Sequence, residues 1–206
     1  LPDLFRIIRM RGIYMQEAYP EGGAMAAVLG LDGDIVAKIC EQTAKETGKV
    51  VSVANYNCPG QIVITGEADA VAAASEALKE AGAKRCIPLK VSGPFHSALL
   101  KNAGEQLAEE LKSVKLSTPW IPYVSNVTAD YVTDASQVAE LLKQQVSSPV
   151  HFTQSIERMI ADGVDTFIEI GPGKTLSSFV RKIDRNVKVY NIETWEDMEK
   201  VIAELV

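Results

Sequence analysis

Residues 24–89 carry the strongest constraint on the fold, because strand-like and helix-like runs follow one another there in an order few folds accommodate. "AMAAVLGL" (24–31) reads as a strand. "DGDIVAKICEQTAKETGK" (32–49) reads as a helix, with Ile35, Ile39 and Gln42/Thr43 on one side and Gly48 as its stop. "VVSVANYN" (50–57) is β-branched and alternating, "CPG" turns, and "QIVITG" (61–66) returns as a strand. "EADAVAAASEALKEAG" (67–82) is an alanine-rich helix ending at Gly82, and "KRCIPL" (84–89) is a last strand. The order β-α-β-β-α-β is the ferredoxin-like pattern.

The rest of the chain has another rhythm. Leu1–Ala18 reads as helix almost from its first residue, which predicts a piece of something longer. After residue 91, helix 97–113 carries Leu100, Ala103, Leu107, Leu111 and Val114 at spacings of three and four. A short strand is expected at 120–125, helices at 135–146 and 153–161, a strand at 165–170, and a helix at 174–183. "VKVYNI" and "WEDMEKVIAEL" close the chain as strand and helix. Helices alternating with short apolar strands predict a parallel α/β sheet, here with only three strands to build it.

Bulk properties exclude some functions. A formal net charge of −6 argues against a general nucleic-acid binder, since phosphate contacts need clustered Lys and Arg. Cys40, Cys58 and Cys86 form no CxxC pair, so they read as reduced thiols of a cytosolic protein, not as a disulfide frame or zinc site. No apolar run approaches a membrane span, and no signal peptide opens the chain.

Three motifs bear on chemistry. "GPGKT" (171–175) invites a phosphate-loop reading, but Ile168 stands where the pattern needs its first glycine, and Leu176 breaks a GxGxxG reading. A tight strand-to-helix turn is the simpler account, with Lys174 able to meet an anion. Arg11 shares a helical stripe with Leu4, Ile8 and Met15, while Arg6 and Arg9 face solvent. A guanidinium on an apolar face needs an anion: a distant Asp or Glu, or a substrate carboxylate held bidentately. Both readings stay open on these residues alone. His96, in "VSGPFHSALL", enters the first turn of helix 97–113, where the helix end favours a neutral imidazole able to accept a proton. It is a general base or a packing histidine. His151 reads as a surface or capping residue. No G-x-S-x-G elbow exists in the chain, and Cys40 and Cys86 lie mid-helix and mid-strand, so the base has no visible nucleophile to serve.

Six segments together resemble one family. "RMRGIYMQEAYPEGGAMAAVLGLD" (9–32), "NYNCPGQIVITG" (55–66), "AGAKRCIPLKVSGPFHSALL" (81–100), "PYVSNVTAD" (122–130), "QQVSSPVHF" (144–152) and "GVDTFIEIGPGKTL" (163–176) are similar to malonyl-CoA:acyl carrier protein transacylases. The resemblance implies the C-terminal portion of an α/β-hydrolase-like large subdomain with an inserted ferredoxin-like small one. The small subdomain would span 21–90, and 91–206 with helix 1–20 would belong to the acyltransferase core. A missing N-terminal segment would carry the Gly-His-Ser-x-Gly elbow, the oxyanion-hole glutamine and most of the sheet. This chain alone would then be inactive.

Residue by residue, the resemblance implies His96 as the catalytic base and Gln145 as the residue whose main-chain carbonyl orients it. Arg11 would bind the malonyl carboxylate. Phe95 would favour malonyl over methylmalonyl, Asn57 would line the thioester cleft, and Met15 would touch substrate. Lys84 and Arg85 would stand at the cleft mouth, facing CoA phosphates or the acidic carrier protein. Asn126 is a turn residue. The implied activity is malonyl transfer from malonyl-CoA to the phosphopantetheine thiol of acyl carrier protein, in cytoplasmic fatty acid biosynthesis. No metal or cofactor is implied, CoA thioester and phosphopantetheine being substrates. Partners would be malonyl-CoA, acyl carrier protein and the missing segment, with no nucleic acid and no membrane. The alternatives are a non-catalytic carrier-protein-binding or regulatory fragment, and a polyketide-type acyltransferase.

Overall fold

The computed structural model describes residues 2–205, so Leu1 and Val206, the outer ends of the first-helix and last-domain expectations, lie outside the described residues. The fold is mixed α/β. Helix α1 (Pro2–Ala18) leads into strand β1 (Gly23–Leu29), then α2 (Gly33–Thr47), β2 (Val51–Cys58), β3 (Gln61–Glu67), α3 (Ala68–Glu80) and β4 (Arg85–Pro88). These four strands form one antiparallel sheet in the order β2-β3-β1-β4.

Local chemistry sets the limits of these elements. The Asp32 carboxylate accepts the Asp34 N–H at 2.9 Å and starts α2, and Gly48 ends it in the left-handed region at φ 68°. One sheet face packs on α2 and α3 through Val28, Ile62, Ile64, Val36, Cys40, Val71 and Leu78. The buried stripe of α2 is therefore Val36, Cys40 and Thr43, and Ile35, expected on it, is exposed. The alternation of side chains along β1 and β3 sends Met25 and Val63 to the opposite face, where Phe95 packs on them.

Beyond β4 a 3-10 turn (Ala98–Leu100) runs into α4 (Lys101–Leu111). Then come β5 (Tyr123–Val124), β6 (Tyr131–Val132), α5 (Ala135–Ser147) and α6 (Phe152–Ala161), with β7 (Thr166–Ile170), α7 (Thr175–Ile183), β8 (Lys188–Ile192) and α8 (Trp195–Leu205) closing the chain. Met15, Leu100, Ala103, Leu107, Leu111 and Val146 make a second core between α1, α4 and α5. Among the described residues no helix is long and apolar enough to cross a membrane.

Four expectations are corrected. The three-strand parallel sheet is a two-strand one, β7 beside β8. The strand expected at 120–125 shrinks to two residues and pairs antiparallel with β6. Pro119 and Pro122 shorten it, and Ser125 N–H reaches Asp130 O at 2.9 Å, closing a tight turn with Ala129 at φ 52°. On α1 the expected stripe of Leu4 and Ile8 is exposed. The helix docks on α4 by the neighbouring stripe of Ile7, Tyr14 and Met15. Arg6, expected in solvent, donates to Glu110 and to Ser113, and Tyr14 Oη donates to Glu110 at 2.9 Å. A half-buried carboxylate on α4 thus ties down the face of α1 that turns inward.

Candidate active site

The chain between β4 and α4 carries the chemistry. Gly93, Pro94 and Ser97 are buried, and Ser97 Oγ donates to Pro94 O at 2.7 Å, which closes the segment into a compact loop. Phe95 packs in both the α1/α4/α5 core and the outer sheet face, and so ties the two halves together. Gly93 leaves room for it: a Cβ there would lie 2.7 Å from two Phe95 ring carbons.

His96 follows with φ 62°, in the sparsely populated left-handed region. It precedes the 3-10 turn and its cap Ser97 rather than entering the first turn of a 97–113 helix. Its Nδ1 lies 3.1 Å from Gln145 O, near the C-terminal end of α5. A carbonyl only accepts, so Nδ1 carries the proton and Nε2 is the free basic nitrogen. Burial lowers the imidazole pKa. The carbonyls of Gln145 and Ser148 oppose that, and the Arg11 charge adds to it. The neutral ring is thereby favoured, through burial and a nearby cation.

A cavity of about 440 Å³ opens in front of this ring. It is lined by α1 (Arg11, Gly12, Met15, Gln16), β1 (Met25), β2 (Asn55) and the loop residues Phe95 and His96. Arg11 and Met15 are one helical turn apart and so face the same space. Among the described residues Arg11 makes no ion pair, and burial lowers its pKa. The cavity therefore joins an imidazole with a free Nε2, an unneutralised guanidinium and an apolar wall of two methionines and a phenylalanine. Such a site suits a small acyl group bearing a carboxylate, beside a hydroxyl or thiol that needs deprotonating.

Of the residues singled out in the sequence, Arg11, Met15, Phe95 and His96 meet at this cavity, and Gln145 stands behind the histidine. Asn57 does not line it. The pairing of β2 with β3 slips twice, once between Val53 and Asn55 and once between Tyr56 and Cys58, so Asn57 is an unpaired bulge residue and Asn55 reaches the cavity instead. Lys84 and Arg85 are exposed and do not line it either. Arg85 pairs with Leu29, four residues along β1 from Met25, a distance of about 13 Å. Sequence reasoning missed Met25, Asn55, Gly12 and Gln16. The Arg11–Met15 spacing points to Gln16 and Gly12 as neighbours on α1, but nothing local marks Met25.

The other motifs settle elsewhere. His151 precedes α6, stacks on the Tyr56 ring at 5.1 Å between centroids, and takes Asn126 O through its N–H at 2.9 Å. The "GPGKT" turn holds no phosphate-shaped cradle. Glu169 accepts the N–H groups of Leu176 at 3.1 Å and Ser177 at 2.7 Å, so a carboxylate of the chain itself fills the start of α7.

A family model described as acyl transferase domain matches residues 3–198. The chain is 48% identical over 204 residues to "Malonyl CoA-acyl carrier protein transacylase" of Bacillus subtilis, covering 98% of this chain and 64% of that one. The solved malonyl CoA-acyl carrier protein transacylase of Clostridium perfringens superposes with a TM-score of 0.93 at 45% identity, over 98% of this chain and 64% of that one. A malonyl-transacylase solved with a type II PKS acyl-carrier protein superposes with a TM-score of 0.93 at 37% identity, over 97% of this chain and 64% of that one. The chain thus spans 64% of the length of the relative from Bacillus subtilis.

Proposed function

The chain belongs to the acyl transferase domain family, and from that premise we propose that it supplies the base and the acyl-carboxylate clamp of a malonyl-CoA:acyl carrier protein transacylase. The observation that carries this reading is the shared cavity: His96 is oriented by the Gln145 carbonyl and faces a guanidinium with no ion-pair partner among the described residues. Residues 21–90 are read as the ferredoxin-like small subdomain, supported by the strand order β2-β3-β1-β4, and the remainder as part of an α/β-hydrolase-like core.

In the proposed reaction a serine hydroxyl from outside these 206 residues attacks the malonyl-CoA thioester carbonyl. His96 Nε2 takes its proton as the C–O bond forms. The C–S bond then breaks, and the imidazolium returns the proton to the CoA thiolate. In the second half the phosphopantetheine thiol of acyl carrier protein enters, gives its proton to His96, and attacks the serine ester. The serine oxygen leaves and regains the proton. The Gln145 carbonyl stabilises the imidazolium in both halves, in the place an acid takes in other triads. Arg11 holds the malonyl carboxylate throughout. Met15, Met25 and Phe95 exclude water from the acyl group, and Gln16 and Asn55 offer side-chain amides in the same cavity. Lys84 and Arg85 are left to a more distant contact with the acidic carrier protein. The chemistry needs no metal or cofactor. Three free cysteines support a reducing compartment, the cytoplasm.

A polyketide carrier protein is a second reading for the acceptor, favoured by the likeness to the transacylase solved with such a carrier. The test of the core proposal uses the full-length enzyme. Arg11→Ala is expected to lower kcat/KM for malonyl-CoA by about 10²-fold or more, and to change acetyl transfer far less, because only the malonyl group presents a carboxylate. Equal losses for both acyl groups would show Arg11 to be structural.

A further inference from the structure

Gly23 begins β1, at the point where the segment from Ser92 to Pro94 crosses over that strand. A Cβ on Gly23 would lie 2.7 Å from Pro94 N and 2.8 Å from Ser92 O, and would also collide with Pro94 Cδ. Two of these three are backbone atoms, so no rotamer change relieves them. The backbone of Gly23 is not in the left-handed region, so other residues could adopt its conformation. Proximity alone demands glycine here.

What crosses at this point leads directly to His96. Gly93 and Pro94 are buried, Pro94 O holds the Ser97 hydroxyl at 2.7 Å, and His96 lies between those two residues at φ 62°. Downstream, the ring is held by Gln145 O at 3.1 Å. The imidazole is thus fixed at one end by α5 and at the other by the seat of residues 92–94 on β1. We infer that Gly23 is a positioning residue for His96: its missing side chain lets the loop sit directly on the sheet, and that seat sets where the imidazole stands at the cavity. The inference rests on the reading of His96 as the base. An added methyl must push Ser92–Pro94 outward, and displacements of about 1 Å at a reacting group can cost about 10²-fold in rate.

The test compares two adjacent glycines in the full-length enzyme. Gly23→Ala is expected to lower kcat by about 10-fold to 10²-fold with KM little changed. It should also shift or broaden the His96 Nδ1–H resonance, assigned by its disappearance in His96→Gln. Gly22→Ala is the control. Gly22 has φ 84°, so alanine is strained there, but its Cβ would meet only Tyr19, at 3.8 Å. It should lower the thermal midpoint and leave both kcat and the resonance in place. A folded Gly23→Ala enzyme with wild-type kcat and an unmoved resonance would overturn the inference, as would equal effects from Gly22→Ala. If Gly23→Ala does not fold, Pro94→Ala removes the ring carbons seated on Gly23 and adds no heavy atom, only an amide hydrogen, and it should move the same resonance. An unmoved resonance there would also overturn the inference. Failure of the parent reading looks different: His96→Ala would keep a near-wild-type rate.

Discussion

His96 is held by contacts that pull its titration in opposite directions. Burial and the Arg11 charge lower its pKa, while the Gln145 and Ser148 carbonyls raise it, and the net shift is downward. The acidic limb of kcat/KM in the full-length enzyme is therefore expected below the ordinary histidine value of about 6.5. An NMR titration of His96 should give a midpoint below that value, and Arg11→Ala should move it up. The same shift bears on stability. Between the folded and unfolded pKa values the unfolded chain binds the extra proton. This contribution is thus fully present above about pH 6.5 and is lost as pH falls through the lowered value. His151, also lowered by burial, acts in the same sense. Urea unfolding at pH 5 and pH 7.5 should show a smaller acid loss in His96→Gln than in the wild type. At this scale Arg11 and His96 stood out in the sequence by type and setting, and their meeting at one cavity was not readable there. That Asn55 and not Asn57 lines this cavity follows from a bulge in β2 set by the register with β3, which the local sequence does not state.

Among the elements, α1 shows how a helix answers to function as well as packing. Gly12 lies in its middle, where glycine costs about 1 kcal/mol relative to alanine. A Cβ there would touch nothing within 4 Å. Gly12→Ala is expected to stabilise the protein by about that amount, raising the thermal midpoint by about 2–4 °C in a chain of this size, which calorimetry would read. No gain would mean that the helix is locally strained in a way its backbone does not display. Helical periodicity and glycine stops made most helices legible, since both are local. The β5–β6 hairpin was not, because two-residue strands carry no period. The face of α1 was misassigned for another reason. Leu4 and Ile8 are as apolar as Ile7, and the partners that favour one face, the α4 core and Glu110, lie about a hundred residues away.

The molecule as a whole exposes what a sheet of two strands cannot cover. Parallel strands are normally buried on both faces, yet Ile168 is 41% and Ile170 78% exposed on β7, and Trp120 is 91% exposed. The 206-residue chain, expressed as it stands, is expected to bind a hydrophobic dye and to self-associate in analytical ultracentrifugation. Ile168→Thr with Ile170→Thr should reduce both. A monomer without dye binding would show these side chains to be harmless singly exposed residues.

By itself the sequence determined the β-α-β-β-α-β order, the glycine stops of α2 and α3, and the resemblance to one family. Each of these is written in neighbours a few residues apart, where propensity and periodicity act. Tertiary structure alone decided that α1, β1, β2 and the loop before α4 enclose one cavity, that Asn55 rather than Asn57 faces it, and that Lys84 and Arg85 stand away from it. Those outcomes depend on pairing register and on which of two similar faces finds the better partner, and such choices are made only when distant segments meet.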